Sequence, residues 1–192
     1  MDLILSYISR SSFITIFILI WLSVYFILTF TILISRFFGL NVWQRNEQNS
    51  LESILRSGDI RNSRSVLRKC VGGKFSRQKL EIGLSVAKKQ STSGLSWLSI
   101  IASTSPFIGL FGTVISILQT FSKLGSEISA SLNVIAPAIS EALVATGCGI
   151  FVAIPAYTFH ILIKRKAYEI ISTIEREVEI LVLMQDQESK DE

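Results

Sequence analysis

The stretch APAISEALVATGCGIFVAIPA, from Ala136 to Ala156, decides how the rest of the chain is read. It is apolar, rich in small residues, and long enough to cross a bilayer, for which a helix needs about 20 residues. It holds one carboxylate, Glu141. A carboxylate at membrane depth costs at least ~2.5 kcal/mol on insertion scales, so its default reading is functional. Ala138, Ala142, Ala145, Gly149, Ala153 and Ala156 follow one another at steps of 4, 3, 4, 4 and 3, which places them on one helix face. Such a face lets backbones approach closely in a membrane, where no hydrophobic force draws helices together. The plainer reading is a packing stripe with a chance carboxylate near the membrane surface. Against it, Glu141 is the only acid or base in the apolar core of any candidate span.

Outward from this stretch, two more runs are long enough to span. Phe13 to Ile34 carries no charge, and the run is too long for a signal-peptide core, with no A-x-A site after it. Leu95 to Phe121 is also uncharged but is punctuated by Ser103, Thr104, Ser105, Pro106, Gly109, Gly112, Thr113 and Ser116. A proline inside a span frees a backbone carbonyl that neighbouring hydroxyls or helices must satisfy. This polarity points to burial against protein or a wet path. The third span runs from about Val134 to Ile163, with Pro155 inside it, and ends at Lys164-Arg165-Lys166. The composition agrees: 49% of the 192 residues are hydrophobic, high for a chain that folds in water.

Between the first two spans lie twelve of the nineteen lysines and arginines, from Arg36 to Lys89. No aromatic interleaving or nucleic-acid motif accompanies them, so the region reads as a cytoplasmic loop obeying the positive-inside rule and no nucleic-acid partner is expected. Short helices are expected within it. One would be capped by Ser50, carry Leu51, Ile54 and Leu55, and end near Gly58; a second, capped by Asp59, would run towards Cys70; a third would place Leu80, Leu84 and Ala87 on one face. The N-terminus and the second loop carry one basic residue each, so the N-terminus should face outward and the C-terminus the cytoplasm. Beyond Lys166 an apolar stripe of Ala167, Ile170, Ile171, Ile174, Val178, Leu181 and Val182 continues, with Glu169, Glu175, Glu177 and Glu179 placed off it. That stripe must be buried against the first loop or another subunit.

The fold class is therefore an all-α integral membrane protein with three transmembrane helices, a helical cytoplasmic loop and a C-terminal cytoplasmic helix extension. The segments are an outer N-terminus (1–12), a first span (13–35), the cytoplasmic loop (36–94), a second span (95–121), an outer loop (122–133), a third span (134–163), and a cytoplasmic helix and tail (164–192).

Enzyme readings find little. A serine–histidine hydrolase would need more than second-span serines and His160: there is no G-x-S-x-G elbow, and His160 has no carboxylate in a supporting position. His160 could relay protons, but an interfacial or packed role suits its place beside the basic cluster. One histidine and the two distant cysteines, Cys70 and Cys148, give no metal-ligand spacing and no structural disulfide. There is no phosphate-binding loop, and no cofactor is expected. A proton path suits the residues better. Glu141 lies roughly 10 Å inside the outer end of the third span at 1.5 Å per residue. Desolvation there raises a carboxylate's pKa towards neutrality, and Thr113 and Thr146 add hydroxyls that both donate and accept. Glu141 and Thr146 are about 140° apart on an ideal helix, so one chain has too little polar surface to enclose a path, and an oligomer with a partner is implied.

The residues from Ser103 to Val114, STSPFIGLFGTV, and from Ala136 to Thr146, followed by Ile154-Pro155-Ala156, resemble the second- and third-span motifs of the ExbB/TolQ/MotA proton-channel family. The three-span layout resembles the ExbB and TolQ branches more than MotA, whose members have four, and leans towards TolQ. The resemblance implies a pentamer around the single-span helices of an ExbD- or TolR-like partner in a bacterial inner membrane, with the outer loops in the periplasm. A membrane aspartate of that partner takes the proton, and the flow drives a TolA- or TonB-like envelope protein. Thr113, Glu141 and Thr146 stand at the family's pore positions. Ser140 and Gly147-Cys148 depart from the usual residues by small changes. A scaffold that uses the same packing face without conducting is the reading from another class, and a flagellar-stator-like subunit the third.

Overall fold

The computed structural model of the chain describes residues 13–57, 65–67, 77–124 and 132–191, side chains excepted at 57, 123–124, 132–134 and 185–191. They form four helices, with no strand among the described residues: α1 (Phe13–Ser57), α2 (Arg77–Thr92), α3 (Leu95–Leu124) and α4 (Leu132–Asp191). Three helical stretches, Phe13–Arg56, Arg77–Ser122 and Ile135–Met184, are long and apolar enough to cross a membrane. The protein is all-helical, with three candidate membrane helices.

The chain divides into two compact units. The first holds residues up to Ile32 and Trp97–His160; the second holds Leu33–Ser96 and Ile161 onward. In the first unit Ile18 and Leu22 of α1, Ile101 of α3, and Val152 and Ala156 of α4 form the buried core, with Tyr25, Phe26, Ala102, Ile108 and Cys148 packed on it. Phe26 stacks on Phe151 at 5.7 Å between centroids, and Phe30 meets Phe159 edge-on at 5.6 Å. Outward-facing positions are also apolar, among them Phe17, Phe107, Phe111, Leu143 and Phe151. A unit that is apolar on its outside as well as its inside is suited to lipid or to further protein, not to water.

Pro106 lies within α3, and Pro137 and Pro155 within α4, without ending either helix. Beside Pro106 the hydroxyls do the local bonding: Thr104 donates to the Ile100 carbonyl at 2.8 Å and Ser105 to that of Ile101. Cys148 is a free, half-buried thiol; Cys70 lies outside the described residues.

The second unit differs from the expected string of short helices. α1 continues unbroken to Ser57, so Ser50 caps nothing; it lies inside the helix, and its hydroxyl donates to the Asn46 carbonyl at 2.8 Å. Burial overrides the local capping preference here: Leu40, Glu47 and Ile54, seven residues apart, are buried, as is Ser50. The end expected near Gly58 and most of the helix expected from Asp59 lie outside the described residues. α2 buries Leu80 and Ala87 as expected, with Gly83 and Ser91, and leaves Leu84 half-buried. α2 and α3 are separated only by Ser93 and Gly94, and Gly94 takes a left-handed φ of 83°, a conformation that stops a helix with no Cβ penalty.

Of the C-terminal stripe, Ala167, Ile170, Ile174 and Leu181 are at most 4% exposed within this chain, as is Ile163 before it, while Ile171, Val178 and Val182 are half-buried. One acid expected off that stripe is on it. Glu177 is 0% exposed. The series 163, 167, 170, 174, 177, 181 advances by alternating steps of four and three, a coiled-coil seam in which Glu177 takes a core position. Polar contacts tie the seam to its neighbours. Gln44 donates to Glu169 at 3.2 Å, Lys88 pairs with Glu175 at 2.8 Å, and Lys166 bonds Asn41 and sits 4.1 Å over the Phe37 ring.

Candidate proton-path site

The site begins with a notch in which α3 and α4 touch through backbone. A Cβ added at Gly149 would lie 2.6 Å from the Ser105 carbonyl oxygen and 3.1 Å from Gly109 Cα. One added at Gly109 would lie 2.7 Å from the Ala145 carbonyl oxygen and 3.0 Å from Thr146 Cα. Neither position has room for any residue but glycine. Gly112, one turn further, faces the Ala145 methyl and the Ile18 side chain. Of the small-residue face, Ala142, Ala145, Gly149, Ala153 and Ala156 are buried, while Ala138 is half-buried. Its complement on α3, Ser105, Gly109, Gly112 and Ser116, is spaced 4, 3 and 4. That spacing was present in the second span, but without the partner helix it read only as scattered polarity.

Such close backbones allow two short side chains to meet. Thr113 Oγ1 of α3 lies 3.1 Å from Thr146 Oγ1 of α4. Thr113 also donates to the Leu110 carbonyl at 2.6 Å. A hydroxyl has one hydrogen, so Thr146 must be the donor in the pair. The result is a directed chain from the Thr146 hydroxyl to the Thr113 hydroxyl to the Leu110 carbonyl. Thr113 is 7% exposed and Thr146 half-buried, so one end of the chain is sealed and the other accessible. Each Thr146 lone pair can still accept from water or from a group on another chain.

A second hydroxyl contact was not foreseen. Thr15 of α1 lies 3.1 Å from Ser116 of α3, and Thr120 donates to the Ser116 carbonyl at 2.8 Å. Thr15 sits in the first span, whose uniform apolarity hid its role; its burial at 3% exposure is what reveals it. Glu141 stands five residues before Thr146 on α4 and is half-buried. The direct hydroxyl pair therefore joins two of the three expected pore residues, and the carboxylate lies about 7.5 Å along the axis from them. His160 is half-buried near the end of the first unit. Among the described residues no cluster of three or more His, Cys, Asp or Glu could hold a metal ion.

A family model for the MotA/TolQ/ExbB proton channel family matches residues 46–176. The chain belongs to that family. An ExbB-like biopolymer transport protein of Helicobacter pylori is 39% identical over 184 residues, which cover 94% of this chain and 97% of that protein. The Tol-Pal system protein TolQ of Pseudomonas aeruginosa is 42% identical over 77 residues, 40% of this chain and 33% of its own. The biopolymer transport protein ExbB of Pseudomonas putida is 40% identical over 82 residues, 43% of this chain and 25% of its own. The family resemblance drawn from the second- and third-span motifs thus holds, and relatives of both the ExbB and TolQ branches match. As a member of the MotA/TolQ/ExbB family the chain is a multi-pass membrane protein of a proton-channel class, and the Thr113–Thr146 contact lies in its α3–α4 pair.

Proposed function

We propose that this chain is the stator-channel subunit of a motor that couples the proton motive force to work on the cell envelope. Thr113, Glu141 and Thr146 line its path. The observation that carries the reading is the Thr146-to-Thr113 hydroxyl chain, held at 3.1 Å by a glycine notch in a protein of a proton-channel family. Glu141 on the same helix supplies the carboxylate of the path, and the hydroxyls can both donate to and accept from water. Each proton crossing 100 mV releases ~2.3 kcal/mol, so a few suffice for a conformational stroke.

One chain encloses no path, so the channel requires several copies, five by the family pattern. It also requires a single-span partner of the TolR or ExbD kind whose membrane carboxylate receives the proton. The driven protein is of the TolA or TonB kind. The basic loop 36–94 and the Lys164–Lys166 cluster favour an inner-membrane topology with the second unit in the cytoplasm and the N-terminus in the periplasm. The packing face from Ala142 to Ala156 is occupied within the chain by α3 and α1. That occupancy weakens the scaffold reading, which needed it as an assembly surface.

The test is native mass spectrometry of the complex taken from its own membrane, followed by proton flux in vesicles. Several copies with a small single-span, carboxylate-bearing protein, and flux lost in Glu141→Gln with assembly intact, is the expected result. Full flux in the assembled variant would remove the channel role.

A further inference from the structure

Two carboxyls in the second unit have no part in the path just described. Glu47 of α1 and Glu177 of α4 are both 0% exposed. Glu47 Oε1 accepts from Trp43 Nε1 at 2.8 Å and from the Val66 N–H at 3.0 Å. Glu177 Oε2 accepts from the Ser65 hydroxyl at 2.8 Å, and that hydroxyl accepts from the Leu67 N–H at 3.2 Å. The other oxygen of each, Glu47 Oε2 and Glu177 Oε1, is buried without a hydrogen-bond partner among the described residues. Orphaned charged acceptors are among the costliest features of a protein interior.

Adjacent residues bridge the two carboxyls, Ser65 bonding Glu177 and Val66 bonding Glu47, and the Glu47 charge acts on Glu177. Two ionised carboxylates are acceptors only, so a bond between them requires one proton. We propose that Glu47 and Glu177 form a single-proton binding site, with one proton shared between Glu177 Oε1 and Glu47 Oε2, that fastens α1 to α4 and holds residues 65–67 against both. The proton turns two unmatched acceptors into a donor and an acceptor. Without it, two like charges face each other in a dry seam. Burial, opposed by the Ser65 bond and reinforced by the Glu47 charge, raises the Glu177 carboxyl to about 8. The proton belongs to the pair and not to either residue.

Among the described residues the surrounding charges are engaged elsewhere or exposed. On α2, Lys88 pairs with Glu175 at 2.8 Å and Arg77 with Glu81 at 3.4 Å. On α4, Glu169 takes Arg165 and Gln44, Lys166 bonds Asn41, and Arg176 and Glu179 are exposed, as are Arg45, Glu52 and Arg56 on α1. None is among the causes acting on Glu177. A metal ion is the competing occupant, but no third His, Cys, Asp or Glu joins the pair among the described residues, and hard cations take six or more oxygens.

The experiment uses the full chain in its native complex, in detergent without added metal. Infrared spectra across pH 6 to 10 read the carbonyl stretch of a protonated carboxyl, and thermal unfolding is followed over the same range. Wild type should show a band that disappears as pH passes about 8, with the melting temperature falling as pH rises towards 8 and levelling off above it. Glu177→Gln supplies a permanent amide donor to Glu47 Oε2 and an acceptor for Ser65, so the band should vanish and that fall should flatten. Should Glu177→Gln not accumulate, Glu47→Gln and the wild-type titration alone still decide. A wild-type band unchanged by pH and by both substitutions would overturn the proposal. So would a melting temperature raised by calcium and lowered by a chelator with no protonated band.

Discussion

Adding one methyl to Gly149 is the sharpest test of the notch. The Cβ of Gly149→Ala would stand 2.6 Å from the Ser105 carbonyl oxygen, and ordinary contact begins near 3.4 Å. The two helices must therefore part by about 0.8 Å at that level. The obstructing atoms are backbone, so no side chain can swing aside. A parting of that size along the Thr113–Thr146 vector lengthens it from 3.1 Å to about 3.9 Å, outside hydrogen-bond range. Overpacking of this kind costs about 1–3 kcal/mol, against roughly 0.5–1 kcal/mol gained by replacing a helical glycine with alanine. Gly147→Ala is the control two residues away, because nothing lies within 4 Å of its added Cβ, and it should show only the gain. Melting of the purified complex and proton flux in vesicles are measured for both. Gly149→Ala should melt below wild type and lose flux several-fold, and Gly147→Ala should melt at or above it. If Gly149→Ala melts as high as Gly147→Ala and conducts normally, then close approach of α3 and α4 is not what builds the site.

Four further outcomes follow from the same geometry. Thr146→Val removes the donor of the hydroxyl pair but leaves the Thr113–Leu110 bond; flux should fall while stability changes by only about 1 kcal/mol, read by vesicle flux and thermal melting. Glu141→Ala should abolish proton-driven envelope function, scored by growth under envelope stress, with the complex still recovered at wild-type stoichiometry. Ser65→Ala deletes the bond that holds the Glu177 carboxyl down, so the pH at which the unit loosens should move above about 8 in an infrared titration. The sign is set by protons bound. The folded state keeps a proton that the unfolded state loses near 4.5, so this contribution is full below 4.5, declines as pH rises and is gone above about 8. At 1.36 kcal/mol per pH unit the span amounts to roughly 3–5 kcal/mol. Gly94→Ala forces a Cβ into a left-handed φ of 83° and should cost about 1–2 kcal/mol in melting experiments, whereas Gly39→Ala, with open space around it, should not.

Features that depend on period and composition are legible in the chain alone. Long uncharged runs fix helices that can span a membrane, since a bilayer leaves the backbone no other partner for its polar groups. The steps from Ala138 to Ala156 placed small residues on one face, and the second- and third-span motifs marked the family. The heptad stripe beyond Lys166 was legible too, down to the need for burial. Its one error was instructive: a glutamate was assigned to the polar side by type, although residues 170, 174, 177 and 181 keep the seam's spacing. Which helices meet is set by packing across the fold. A single helix does not state which neighbour its small face receives, so the Gly109–Gly149 notch and the Thr113–Thr146 bond were invisible until α3 and α4 were set side by side. The same holds for α1, where a serine suited to capping lies mid-helix because burial of Leu40, Glu47 and Ile54 outweighs a local preference of about 1 kcal/mol. Glu47 and Glu177 stand 130 positions apart in the chain, and neither is unusual alone. Their chemistry exists only because packing removes water from both at once and leaves one oxygen of each without a hydrogen-bond partner among the described residues.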